Sequence, residues 1–102
     1  MEKLKGFQAK HLRGLAHSLK PVVFIGQKGI TDDVVKSTDA ALEKHELIKV
    51  KFIDYKEKTQ KLEITKEIEN RTGCRMAGMI GHIAIFYRQK DDPEKRIIVL
   101  PQ

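Results

Sequence analysis

Two stretches of this chain hold glycines three residues apart, and only one of them carries a cation between the pair. Gly26-Gln27-Lys28-Gly29 follows the apolar run Val22-Val23-Phe24-Ile25 and precedes a helix-like segment opening at Thr31. A short Gly-Lys loop between a strand and a helix N-terminus can offer backbone N–H groups and one ammonium to a phosphate, with no bulky side chain in the way. The other stretch, Gly78-Met79-Ile80-Gly81, has apolar middle residues and reads as a strand end and turn. Spacing alone is weak evidence: at a glycine frequency of about 7%, roughly every second chain of this length contains such a pair by chance.

Charge distinguishes the two stretches further. The net charge is +6, and residues 1–30 carry +5 of it, against 0 for residues 31–61 and +1 for residues 62–102. The excess lies in the segment that ends in the Gly-Lys loop, which points to a polyanionic partner and to binding that weakens with salt. A solvated, charge-rich surface would give the same total.

Other chemistries are poorly supplied. His11, His17, His45 and His82 lack the close pairing of a zinc site. Cys74 is the single cysteine, so it makes no internal disulfide and reads as a small packing residue rather than a nucleophile. No Gly-x-Ser-x-Gly, Walker-type phosphate loop or dinucleotide fingerprint occurs. The carboxylates, scattered among lysines, read as surface ion pairs. No catalytic residue, metal, cofactor or small-molecule substrate is expected. No apolar stretch approaches the roughly 20 residues that span a bilayer, and no signal-type apolar core follows the opening residues, so the expected location is the cytoplasm, away from membranes.

The elements that must position the loop can be traced in order. From Leu4 to Leu19 the residues Leu4, Phe7, Leu12, Leu15, Ala16 and Leu19 fall on one side of a helical wheel, with Lys3, Lys10, Arg13, His17 and Lys20 opposite. Gly14 inside this helix permits either a close approach or tolerated slack, at a cost of about 1 kcal/mol relative to Ala. Pro21 stops the helix, and Val22–Ile25 reads as a buried strand. Thr31 is a good N-cap, with Asp32 and Asp33 in the first turn. Those aspartates would repel a phosphate seated on the helix end, so the loop amides and Lys28 must hold it.

Val34, Val35, Thr38, Ala41, Leu42 and His45 give a core-facing helix, with His45 half-buried. Leu47–Ile53 alternates apolar residues with Lys49 and Lys51. A charged turn at Asp54–Lys58 leads to a third helix at Gln60–Thr72, with Leu62, Ile64 and Ile68 apolar and Gly73 as its C-terminal cap. Met76–Ile80 and Ile83–Tyr87 form a hairpin, and Ile97–Leu100 is expected as a short edge strand. The result is an α/β fold: one compact domain over residues 1–102, ordered α-β-α-β-α-β-β, with a small mixed sheet packed with three helices. Without an obvious exposed apolar stripe, the default state is a monomer.

Among RNA-binding modules, an RRM would display aromatics on its central strands, whereas Phe86 and Tyr87 sit in a continuous apolar strand. The six aromatics read as mostly structural. A KH domain clamps nucleotide backbone with a similar Gly-x-x-Gly loop, but places it between two helices.

The blocks Leu12–Val23, Ile25–Thr31, His45–Val50, Ile80-Gly81, Tyr87-Arg88 and Leu100-Pro101 together resemble the YhbY-type proteins, single CRM (chloroplast RNA splicing and ribosome maturation) domains. The resemblance covers essentially the whole chain. It implies a fold similar to the C-terminal domain of bacterial translation initiation factor three. It also implies binding to 23S-type ribosomal RNA in precursors of the large subunit. Met76-Ala77-Gly78-Met79 is smaller and richer in glycine than that pattern leads one to expect.

The RNA-binding residues expected are Lys10, Arg13, His17, Lys20, Gly26, Gln27, Lys28, Gly29 and Thr31, with His17 either touching phosphate or simply exposed. Lys49, Lys51 and Arg88 would extend the surface. An adaptor that reaches acidic proteins through the basic helix, an RNA chaperone or splicing-type binder, and a charge-rich structural domain are the competing readings.

Overall fold

Side-chain alternation along the strands decides which helix covers which face. A computed structural model describes residues 2–55 and 57–102, and its elements are α1 (Gly6–Ala16), β1 (Pro21–Ile25), α2 (Asp32–His45), β2 (Leu47–Phe52), α3 (Lys58–Thr72), β3 (Arg75–Ile80) and β4 (Ile83–Tyr87). A 3-10 turn at Pro93–Lys95 follows. The strand order is β1-β2-β4-β3, with β1 parallel to β2 and the other pairs antiparallel. The parallel pair needs a crossover, which α2 supplies, and the antiparallel pair β3–β4 needs only the two-residue turn Gly81-His82.

Val23, Ile25, Ile48, Val50, Phe52, Ala84 and Phe86 point to one face and form the larger core with Leu42 of α2 and Ile68 of α3. Leu47, Ile85, Tyr87 and Ala77 point to the other, where Leu12 and Ala16 of α1 seal them. Burying side chains of this size stabilises the fold by about 1.5–3 kcal/mol each. Cys74 is fully buried in the larger core, and burial pushes its thiol up to about 11, outweighing the Thr72 hydroxyl that donates to its sulfur at 3.1 Å. It packs rather than reacts.

Several expectations require correction. The strand expected at Ile97–Leu100 does not form; that segment is held instead by Glu46, whose fully buried carboxylate accepts the amides of Ile97 (2.7 Å), Ile98 (2.8 Å) and Lys90 (2.8 Å). Three N–H donors on one carboxylate replace a sheet ladder. β1 is half-buried rather than buried: it lies at a sheet edge, and Val22 and Phe24 face outward.

α1 is shorter than the Leu4–Leu19 run at both ends, and beyond its last residue, Ala16, Lys49 donates to the carbonyls of His17 (3.4 Å) and Leu19 (2.9 Å). His45 is exposed, since α2 turns its other side to the core. In α3, Leu62 is exposed while Lys61 is buried, its ammonium donating to the Gly81 carbonyl at 2.8 Å. The Asp54–Lys58 turn includes Lys56, which lies outside the described residues. Gly73 caps α3 in the left-handed conformation as expected.

The small residues in β3 have a physical reason. Ala77 and Gly78 straddle a register shift opposite β4, and α1 packs over them. A Cβ on Gly78 would lie 2.5 Å from Cδ of Arg13, whose guanidinium donates to the Ala77 carbonyl at 2.9 Å.

Candidate functional site

Gly26–Gly29 is a tight turn at the C-terminal end of β1, closed by the Gly29 amide donating to the Gly26 carbonyl at 3.0 Å. The Gly29 amide is therefore spent on the turn, and the amides of Gln27 and Lys28 are what the loop can present to an anion. Gly29 sits at φ +68°, and a Cβ there would come within 2.8 Å of the Tyr55 hydroxyl, so glycine is required twice over. Gly26 is different. Its φ is not positive, and a Cβ there would meet only the Asp54 carboxylate at 3.7 Å.

Tyr55 holds the loop from below. Its hydroxyl donates to the Gln27 carbonyl at 3.3 Å, and its ring stands edge-on to Phe52 with centroids 6.5 Å apart. Sequence reasoning missed this anchor; the available signal was a lone aromatic inside a charged turn. Beyond the loop, the Thr31 hydroxyl accepts the Val34 amide at 3.1 Å and caps α2. Gln27 and Lys28 remain exposed.

Asp32 pairs with Arg71 at 3.3 Å, an exposed contact worth no more than about 1 kcal/mol. On the α3 side of the loop, a cleft of about 440 Å³ is lined by Lys28, Tyr55, Gln60, Glu63 and Glu67 among others. Its two glutamates repel phosphate. The other face of the sheet carries α1.

On that face the expected basic residues divide. Arg13 is tethered to β3 through Ala77 and lies over the row Lys49–Ile85–Gly78. Lys10 and His17, one turn to either side of Arg13, are exposed. Lys20 is exposed too, but it precedes β1 while the loop follows it, and five extended residues place roughly 16 Å between them. It lines an apolar groove of about 460 Å³ with Leu15, Leu19, Val22, Leu47 and Ile97. The expectation of no exposed apolar stripe therefore fails.

Two of the three residues expected to extend the surface are already engaged. The Lys49 ammonium caps the end of α1, and Arg88 is clamped by Asp39, by Glu43 at 3.2 Å and by the Thr72 carbonyl at 2.8 Å. Lys51 is exposed. Gly14 is open, with no atom within 4 Å of a Cβ built on it. Two aromatics expected to be structural, Phe7 and Phe24, are about half exposed, at 48% and 52%.

Among the described residues no group of three or more His, Cys, Asp or Glu could hold a metal ion, and no helix is long and apolar enough to cross a membrane. The arrangement is that of a small α/β domain with a glycine-framed cation at a strand end and a basic helix packed on its sheet. The CRS1/YhbY (CRM) domain profile matches residues 4–88, and the chain belongs to that family.

Its relatives include a Haemophilus influenzae protein named as RNA-binding, 39% identical over 90% of this chain and 92% of that one. Bacillus subtilis YqeI, whose name carries a provisional RNA-binding designation, is 32% identical over 96% of this chain and 99% of its own. The solution structure of SAV1595 from Staphylococcus aureus, described there with the same provisional designation, superposes with a TM-score of 0.81. It is 32% identical and covers 96% of this chain and 99% of that one. None of these names denotes an enzyme.

Proposed function

We propose that this chain is an RNA-binding protein that holds the phosphate backbone of ribosomal RNA, of the 23S type, in precursors of the large ribosomal subunit. The RNA-binding names of its relatives support the class. The observation that carries the mechanism is the Gly26–Gly29 turn, which raises an exposed Lys28 at the C-terminal end of β1. In this reading Lys28 pairs with one phosphate while the amides of Gln27 and Lys28 approach the same strand. Lys10, Arg13 and His17 track neighbouring phosphates, and Lys20 contributes only to a ligand long enough to pass the end of β1. Contacts of this kind position the RNA without reading its sequence. The protein acts without a cofactor in the cytoplasm, and residues 1–102 work as one CRM domain.

Affinity for ribosomal RNA fragments as a function of salt tests the proposal. Four to six phosphate contacts give a log–log slope of roughly −3 to −5. A flat response would instead assign the basic helix to a protein partner.

A further inference from the structure

The register of the sheet aligns four residues in one row: Phe24 on β1 opposite Lys51 on β2, Lys51 opposite Ile83 on β4, and Ile83 opposite Ile80 on β3. Their neighbours Ile25, Val50, Phe52, Ala84 and Met79 belong to the core under α2 and α3, so this row faces the α1 side. α1 does not cover it. Leu12 and Ala16 seal Leu47, Ala77, Ile85 and Tyr87, and Arg13 reaches Gly78, two residues before Ile80. Beyond Arg13 the sheet is open: Phe24 is 52% exposed, Ile80 66%, Lys51 is exposed, and Ile83 is partly so. The row lies at the same end of the sheet as the Gly26–Gly29 turn, which begins two residues after Phe24.

We infer that this row is a stacking site for an unpaired base of the bound RNA. A phenyl ring open to solvent on a rigid strand presents a flat apolar surface that any base can cover, whereas an A-form duplex hides its base faces. The adjacent Lys51 supplies the cation for that nucleotide's phosphate, and the aliphatic faces of Ile83 and Ile80 extend the platform across the sheet. An exposed lysine in the middle of the row disfavours a purely apolar protein surface as its occupant, while the excess positive charge of residues 1–30 favours a nucleic acid. The inference rests on the reading of the chain as an RNA binder and adds single-strand selectivity to it.

The test uses the full chain with a single-stranded RNA of about eight nucleotides carrying a 2-aminopurine, and with the same strand annealed to its complement. Stacking quenches the emission of the probe base. Phe24→Ala is expected to abolish the quenching and to weaken single-strand binding about 5- to 100-fold, with duplex binding unchanged; Phe24→Trp is expected to retain both signals. Because Phe24 is half exposed on an edge strand, the folded state should tolerate either change, and circular dichroism verifies it.

Unchanged single-strand affinity in Phe24→Ala overturns the inference. If Lys28→Asp nevertheless weakens both RNAs, the phosphate-binding proposal survives; if neither substitution matters, both readings fall. Equal weakening of both RNAs by Phe24→Ala overturns stacking in favour of a general backbone contact. A concentration-dependent dimer in sedimentation that Phe24→Ala abolishes assigns the row to a second copy of this chain and overturns the inference as well.

Discussion

Gly26–Gly29 and Gly78–Gly81 have the same spacing, yet their glycines answer to different forces. In the first, Gly29 is fixed by its own backbone and by Tyr55, while Gly26 has neither a positive φ nor a close neighbour. In the second, Gly78 makes room for Arg13, and Gly81 turns the hairpin at φ +59° with open space around it. Three of the four glycines are explained by the fold. The fourth, Gly26, is not required by the fold, and in the proposed reading it keeps the loop clear for a phosphate backbone.

The sharpest way to break this comparison is Gly29→Val. A β-branched residue at φ +68° and against Tyr55 should cost about 3 kcal/mol, read as a lowered urea midpoint. A cost below about 1 kcal/mol would mean that the turn is not held as described. Next comes Gln27→Asp with Lys28→Asp, both exposed positions, where we expect RNA affinity to fall by about 2 kcal/mol, roughly thirtyfold, with an unchanged midpoint. Unchanged RNA affinity in that folded double variant would remove the loop from the interface.

Gly81→Ala should cost about 1 kcal/mol of stability, because its backbone is left-handed but uncrowded, and should leave RNA affinity alone. The smallest expected effect on the fold is the most discriminating. Gly26→Ala should change stability by less than about 0.5 kcal/mol and yet weaken RNA binding, measured by titration of the same fragments. Equal RNA affinity in Gly26→Ala would return this glycine to chance.

The parts of the molecule legible in the sequence were those set by neighbours along the chain. Alternation gave β2, a continuous apolar run after Gly81-His82 gave β4, Thr31 and Gly73 marked helix ends, and the turn with its exposed Lys28 lay where an apolar run meets an N-cap. What could not be read were charged side chains whose partners are distant. Lys49 answers to Leu19, Arg88 to Asp39 and Glu46 to Ile97, at separations of 30, 49 and 51 residues. In sequence, a lysine that caps a helix looks the same as a lysine free for phosphate; only the fold separates Lys49 from Lys51. Phe24 was obscured for another reason. Four consecutive apolar residues hide which of them lies outside when a strand occupies an edge.

The Glu46 carboxylate also bears on the order of events in folding. It closes the longest of these three connections, to amides that follow it by 51 and 52 residues. Synthesis therefore produces the acceptor well before its donors, and α2 and β2 can pair with β1 while that carboxylate is still hydrated. Docking of residues 90–98 is what dehydrates it, at the cost of closing a loop of about fifty residues. The segment that follows β4 acts in this sense as a latch on the finished sheet.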